Sequence, residues 1–241
     1  MRAVAVIPAR MGSKRFPGKV LSLVDGDPLV VHVWRQVCSV NGLDEVYVAT
    51  ADEAVADVVT EAGGKVLITT DLHRCGTDRV AEAVTSVAAD IVVNVQADCG
   101  VIRPGLIERL VSALKASDAA AITPVAPVND VDRVSSTDCV KVVVDATGKA
   151  VYFSRAPVPH KGPWLSHIGI YGFRRHTLEA FATLAPSPLE VSEDLEQLRL
   201  IENGFTIQTI LTDASSISVD SPRDLRRLQA HHSSQIRGTH A

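Results

Sequence analysis

The sequence predicts an α/β protein with a mainly parallel central sheet, helices on both faces and a small mixed-sheet lobe. Three observations carry this. Short, strand-like apolar runs alternate with helical patterns through the first half of the chain, at the pitch of strand–helix–strand units. The first run, Val4 to Ile7, stops at Pro8 and opens into a loop rich in cations and glycine, the usual strand-end position of a ligand site in open α/β sheets. The second half changes character: two short strand patterns flank a turn, as in a hairpin.

Taken in order, strands are expected at Ala3–Ile7, Glu45–Thr50, Lys65–Ile68, Ile91–Gln96 and Ala119–Val125. Between them the pattern gives helices over Leu29–Val40, Glu53–Ala62, Asp78–Val87 and Pro104–Lys115. In the last of these Leu106, Ile107, Leu110, Val111 and Leu114 follow helical spacing, with Pro104 near the start. Val140–Asp145 and Ala150–Phe153 flank a turn at Thr147–Gly148, and Ser166–Phe173 reads as a further strand. Helices near Thr177–Leu184 and Ser192–Asn203 follow, then a strand at Thr206–Leu211 and a helix over Pro222–Ala230 with Ser221 as N-cap and Pro222 at N1. With no repeat and no long linker, residues 1–230 are expected to form one domain, its added lobe spanning about 140–200, and residues 231–241 a frayed polar tail.

Composition narrows the class. The 241 residues are 46% hydrophobic but only 4% aromatic, so the core rests on Val, Ala, Leu and Ile. A net charge of −4 and a pI near 6.0 argue against a nucleic-acid binder; positive charge is local. No apolar run approaches a membrane span. The four cysteines, Cys38, Cys75, Cys99 and Cys139, have neither C-x-x-C nor zinc spacing, which with the absence of a leader points to reduced thiols in a cytoplasmic protein.

Four segments carry chemistry. The opening loop holds Arg10, Lys14, Arg15 and Lys19 among Gly12, Ser13, Pro17 and Gly18; backbone N–H groups and cations there can converge on a polyphosphate, whereas a basic loop elsewhere would simply be solvated. In Leu72–Arg79, Thr77 or Asp78 is placed to cap a helix, and Arg74 and Arg79 are either surface cations or ligand contacts. Val93–Gly100 ends a β-branched strand in Gln96 and Asp98, and a carboxylate past the carboxyl end of a central strand suits Mg²⁺ held against phosphates. Asp220 follows a short apolar strand, so it is either a second metal carboxylate or a helix-start residue.

These segments, IPARMGSKRFPGK, HRCGTDR, VNVQAD, AVYFSRAPVP, HIGIYGF, SPLE…LEQLR and VDSPRDL, resemble in the same order the 3-deoxy-manno-octulosonate (Kdo) cytidylyltransferases, from residue 2 to about 228. The resemblance implies a Rossmann-like nucleotide-diphospho-sugar transferase fold. It also implies binding of CTP and Mg²⁺, transfer of CMP to a small acidic acceptor, release of pyrophosphate, and a homodimer. Position by position it implies that Pro8, Arg10, Ser13, Arg15 and Lys19 hold the CTP triphosphate, and that Arg74, Gly76, Arg79 and Gln96 surround the cytidine. Asp98 and Asp220 would bind Mg²⁺; His167, Tyr171, Glu196 and Gln197 would face the acceptor. Catalysis would then be neutralisation and alignment by Lys19, Arg15 and Asp98.

The chain departs from this pattern at Cys99–Gly100, where the family has Glu–Pro, and at Cys75, where it has serine. The first change removes a charge beside the acceptor and is expected to loosen the backbone. The segment between Arg155 and His167 is also shortened to APVPHKGPWLS, where His160 and Lys161 either meet an anion or belong to a solvated turn. A changed acceptor loop beside a retained nucleotide site favours a phosphonate acceptor such as phosphonoformate, with a Kdo-type sugar acid as the alternative. Two other readings are a nucleotide-binding protein of this fold without catalysis, and a transferase acting on sialic acid.

Overall fold

The computed structural model describes residues 1–13, 15–103, 105–213 and 217–238, the side chains of 233–238 apart; Lys14 and Pro104 lie outside the described residues. The chain opens with β1 (Ala3–Pro8), a two-residue pair β2 (Leu23–Val24) and β3 (Asp27–Pro28), α1 (Leu29–Cys38), β4 (Glu45–Thr50), α2 (Glu53–Glu61), β5 (Lys65–Ile68), α3 (Gly76–Ala83), β6 (Ile91–Val95), α4 (Leu106–Ala116) and β7 (Ala121–Val128). It continues with α5 (Val131–Ser135), β8 (Lys141–Val144), β9 (Ala150–Ser154), β10 (Trp164–His167), β11 (Ile170–Arg174), α6 (Arg175–Thr183), α7 (Pro188–Glu193), α8 (Leu198–Glu202), β12 (Ile207–Leu211) and α9 (Pro222–Gly238).

One sheet runs in the order β5-β4-β1-β6-β11-β7-β10-β8-β9, with β12 added to β7. Strands β5, β4, β1 and β6 are parallel, and β12 is parallel to β7, while β11 runs antiparallel between β6 and β7 and β10 antiparallel between β7 and β8. Alternation along β1 shows why the central strands are apolar throughout. Ala3, Ala5 and Ile7 join a core with Leu29 and Val33 of α1 and Leu110 of α4. Val4 and Val6 point the other way, into a core with Val80 of α3 and Leu178 and Phe181 of α6. All the carboxyl ends of the parallel strands open on one edge, and the basic loop follows β1 there.

Four differences from the sequence reading have local causes. The strand expected over Ser166–Phe173 is two strands around a bulge at Ile168–Gly169, where the Ile170 N–H turns back to the Ile168 carbonyl at 2.6 Å and Thr123 Oγ1 donates to the Ile170 carbonyl at 2.8 Å. The helix expected over Ser192–Asn203 is broken by Asp194, which adopts a left-handed φ of 53°, so α7 and α8 are separate. Helix α3 begins at Gly76, ahead of the expected Asp78, because the N-cap is neither Thr77 nor Asp78 but Cys75, whose Sγ accepts the Asp78 N–H at 3.5 Å. At the other end of the chain α9 runs to Gly238, so residues 231–238, expected as a frayed tail, are helical.

Candidate active site

Loop residues after β1 are folded back by two bonds to the Met11 carbonyl, from Ser13 N at 2.9 Å and Gly18 N at 3.0 Å. Gly18, with φ 71°, then admits a single helical turn, Lys19–Leu21, that brings Lys19 to the strand ends. Across from it, Asp98 and Asp220 are held together by backbone: Cys99 bridges Ser218, Val219 N donates to the Asp98 carbonyl at 2.9 Å, and Gly100 N donates to the Ile217 carbonyl at 2.8 Å. Asp220 is not the helix cap. Ser221 is, and Asp224 accepts from Ser221 Oγ at 2.6 Å, which leaves the Asp220 carboxylate free to face Lys19.

The result is one charged cluster. Lys19 Nζ donates to Asp98 Oδ2 at 2.6 Å and Asp220 Oδ1 at 3.1 Å, and Arg15 Nη2 lies 2.8 Å from the same Asp220 oxygen. The other arm of Arg15 pairs with Asp138. Burial works against the Lys19 ammonium, but the two carboxylates outweigh it and set its pKa above the ordinary lysine value. Lys19 is therefore a fixed positive charge at any working pH.

A cleft of about 580 Å³ opens beside this cluster. Pro8, Arg10, Ser13, Arg15 and Lys19 line its β1 side; Arg74, Gly76 and Arg79 its α3 side; Gln96, Asp98 and Asp220 its floor and far end. Every residue assigned to the nucleotide or the metal thus meets in one place. Arg79 is anchored by donation to the Thr69 hydroxyl and, at 3.2 Å, to the Thr70 carbonyl, and burial holds its pKa below the usual arginine value. The structure adds His73, Thr137, Arg155 and Asp194 to the lining. Arg155 stands in the AVYFSRAPVP segment, but its reach could not be read there: its guanidinium donates to the carbonyls of Glu193 (2.9 Å), Thr137 (2.9 Å) and Asp194 (3.1 Å), which ties two further segments, at Thr137 and at Glu193–Asp194, to the cleft wall.

The acceptor-side residues lie elsewhere. His167, Tyr171, Glu196 and Gln197 do not line the cleft. His167 Nε2 bonds the Thr123 hydroxyl at 2.9 Å, its ring packs on Phe153 and Tyr171, and burial drives its pKa down to about 3. Burial raises the Tyr171 phenol above its ordinary value and also the Glu196 carboxyl, which accepts from Thr77 Oγ1 and, at 3.4 Å, Thr77 N. Gln197 is 4% exposed and its Nε2 has no partner among the described residues.

The departures at residues 99, 100 and 75 read differently in three dimensions. Gly100 is pinned, not loose: besides its N–H bond, its carbonyl accepts from Gln36 Nε2 at 3.0 Å and meets His32 Nε2 at 3.0 Å. A Cβ there would lie 2.5 Å from Leu228 Cδ2 of α9 and push that methyl aside, and a proline would lose the donor to Ile217. Cys99 is buried with its thiol toward the Gly169 carbonyl, away from the cleft. The Cys75 thiol caps α3 on the cleft wall, and burial pushes its pKa up. His160 and Lys161 sit on an exposed turn and do not reach the cleft.

Among the described residues, no group of three or more His, Cys, Asp or Glu converges on a metal position. Two carboxylates on one ammonium do fit Mg²⁺, which takes one or two carboxylates and completes its shell with water and phosphate.

A mixed α/β sheet with a cation-lined cleft and paired aspartates at its strand ends defines a nucleotide-binding transferase. The sequence model of the cytidylyltransferases matches residues 4–210, and the chain belongs to that family. It is 41% identical over 245 residues to a 3-deoxy-manno-octulosonate cytidylyltransferase of Geobacter metallireducens, covering 95% of this chain and 96% of that one. To the protein of the same name from Syntrophotalea carbinolica it is 41% identical over 246 residues, covering 96% and 98%. The structure of a CMP:2-keto-3-deoxy-manno-octonic acid synthetase complexed with CTP superposes with a TM-score of 0.92 at 38% identity, covering 98% of this chain and 100% of that one. These relatives favour the Kdo-type acceptor and give the expected phosphonate no support.

Proposed function

We propose that the protein transfers CMP from CTP to a Kdo-type sugar acid and releases pyrophosphate. The observation that carries this is the Asp98–Lys19–Asp220 cluster at the end of a cationic cleft, in a chain similar along its whole length to a synthetase complexed with CTP. Arg10 and Ser13 hold the triphosphate. Arg15 and Lys19 take up the charge that develops on the departing pyrophosphate. Arg74, Gly76, Arg79 and Gln96 surround the cytidine. Asp98 and Asp220 would hold Mg²⁺, which when bound supplies charge neutralisation at the α-phosphate. The acceptor oxygen attacks the α-phosphorus in line with the leaving group, and two anionic reactants are brought together without a covalent enzyme intermediate. Of His167, Tyr171, Glu196 and Gln197, Tyr171 and Gln197 are buried, so for these two to touch the acceptor the residues around them have to move on binding.

The test is pyrophosphate release from CTP with Mg²⁺ and each acceptor in turn. Turnover with Kdo, and a loss of about 10²-fold or more in kcat for Asp98→Asn and Lys19→Met, is expected. Turnover with phosphonoformate alone would reinstate the phosphonate acceptor, and CTP binding with no turnover on any acid would make the chain a binding protein.

A further inference from the structure

Asn94 on β6 is fully buried and Thr77 in the first turn of α3 is 1% exposed; neither lines the cleft. Hydrogen bonds nevertheless join both to Gln96, which does. Gln96 Nε2 donates to Asn94 Oδ1 at 3.3 Å, Asn94 Nδ2 donates to Thr77 Oγ1 at 3.0 Å, and Thr77 Oγ1 donates to Glu196 Oε1. The Thr77 N–H also reaches Glu196 Oε2 at 3.4 Å.

The polarity of this chain of bonds is set from its buried end. Both Glu196 oxygens accept from Thr77, one from its hydroxyl and the other from its N–H, so the single hydroxyl proton of Thr77 is committed to Glu196. Thr77 Oγ1 must then accept, which turns the NH₂ of Asn94 toward it and the carbonyl of Asn94 toward Gln96. Gln96 in turn must give its NH₂ to Asn94. The placing of N and O in both carboxamides follows from the Thr77–Glu196 bond. Two glycines make room for the last member: a Cβ on Gly76 would stand 2.8 Å from Gln96 Oε1 and 2.9 Å from Nε2, and one on Gly169 would stand 3.5 Å from Cγ. Among the described residues nothing donates to Gln96 Oε1.

We infer that Thr77 and Asn94, anchored on Glu196, are positioning residues which orient Gln96 and fix its carbonyl oxygen as the acceptor offered to the cleft. A bound nucleotide must then present a donor at that point. This rests on the reading that the cleft takes CTP, whose two candidate donors are the exocyclic amino group of cytosine and a ribose hydroxyl. Uracil carries a carbonyl where cytosine carries the amino group, and two acceptors facing each other exclude it.

Calorimetric titration of the full chain with CTP, UTP and 2′-deoxy-CTP tests this, in the wild type and in Thr77→Val, Thr77→Ser and Gln96→Met. The wild type is expected to prefer CTP over the analogue lacking the donor: UTP if the base is read, 2′-deoxy-CTP if the ribose is. Thr77→Val, which keeps the shape of the side chain, should cut that preference about tenfold, and Thr77→Ser should restore it. Gln96→Met should show the same loss as Thr77→Val, and the double variant no further loss. A Thr77→Val or Gln96→Met protein that keeps the wild-type preference overturns the inference, as do losses that add. Gln96→Met lies on the cleft wall and reports even if the buried variant does not fold. If the wild type shows this selectivity yet releases no pyrophosphate with any acid, the transfer reading fails and the positioning role stands.

Discussion

Lys141 is fully buried on β8, and among the described residues its ammonium hydrogen-bonds no carboxylate: its three protons go to the carbonyls of Ser136 (2.9 Å), Cys139 and Arg155 (2.6 Å). Burial pulls its pKa below the ordinary lysine value. The three bonds tie the loop 136–139 to the end of β9, and this loop supplies Thr137 to the cleft and Asp138 to Arg15. The positive charge is thus spent on geometry, one layer behind the residues that line the cleft. Lys141→Met keeps the aliphatic stem and leaves three carbonyls without a donor. It should destabilise the protein by about 3 kcal/mol in urea unfolding, and it should weaken CTP binding several-fold through a loosened Asp138–Arg15 pair. Unchanged stability would mean that water replaces the ammonium.

Helix α9 acts as a strut at the scale of elements. Its cap residues Ser221 and Asp224 set the direction of Asp220, with Asp224 Oδ2 accepting from Ser221 Oγ at 2.6 Å and from Asp220 N at 3.3 Å, and Leu228 packs on Gly100 next to Asp98. Asp224→Ala should therefore cost about 1 kcal/mol of stability and raise the Mg²⁺ concentration for half-maximal turnover, with kcat recovered at saturating Mg²⁺. A fall in kcat that Mg²⁺ does not repair would separate the cap from the proposed Mg²⁺ site. The start of this helix was legible because Ser-Pro at N-cap and N1 is a local signal, and the strands β1, β4 and β5 were legible because apolar runs bounded by loops are too. The cleft residues were legible through the ordered motifs. What stayed hidden depends on contacts distant in sequence: the Ile168–Gly169 bulge, set by the neighbouring β7; the break at Asp194, which periodicity does not register; and the buried Lys141, indistinguishable in sequence from a surface lysine of a hairpin.

For the whole molecule, the antiparallel ribbon β10–β11 joins the parallel half of the sheet to the β8–β9 hairpin, since β11 pairs with β6 while β10 pairs with β8. His167 sits at the bend of this ribbon, packed against Phe153, Tyr171 and Thr123, and its folded pKa of about 3 lies far below the ordinary 6.5. Above pH 6.5 the ring is neutral in both folded and unfolded chains and exerts no pull on the equilibrium. Below it the unfolded chain takes up a proton that the folded protein refuses until about pH 3, so stability falls as pH drops through that window. The slope from this one site is at most about 1.4 kcal/mol per pH unit. Because the site spans both halves of the sheet, the loss is expected in global unfolding rather than in fraying of one lobe. Urea unfolding between about pH 7 and about pH 4.5 should show a steeper decline for the wild type than for His167→Gln, whose amide can still bond the Thr123 hydroxyl but takes up no proton. Parallel declines would place the acid sensitivity elsewhere, and Glu196 could not account for them: its folded pKa is raised, so its ionised form is disfavoured by folding and acid relieves that penalty. The wild-type excess in slope therefore isolates the histidine at the junction of the two halves.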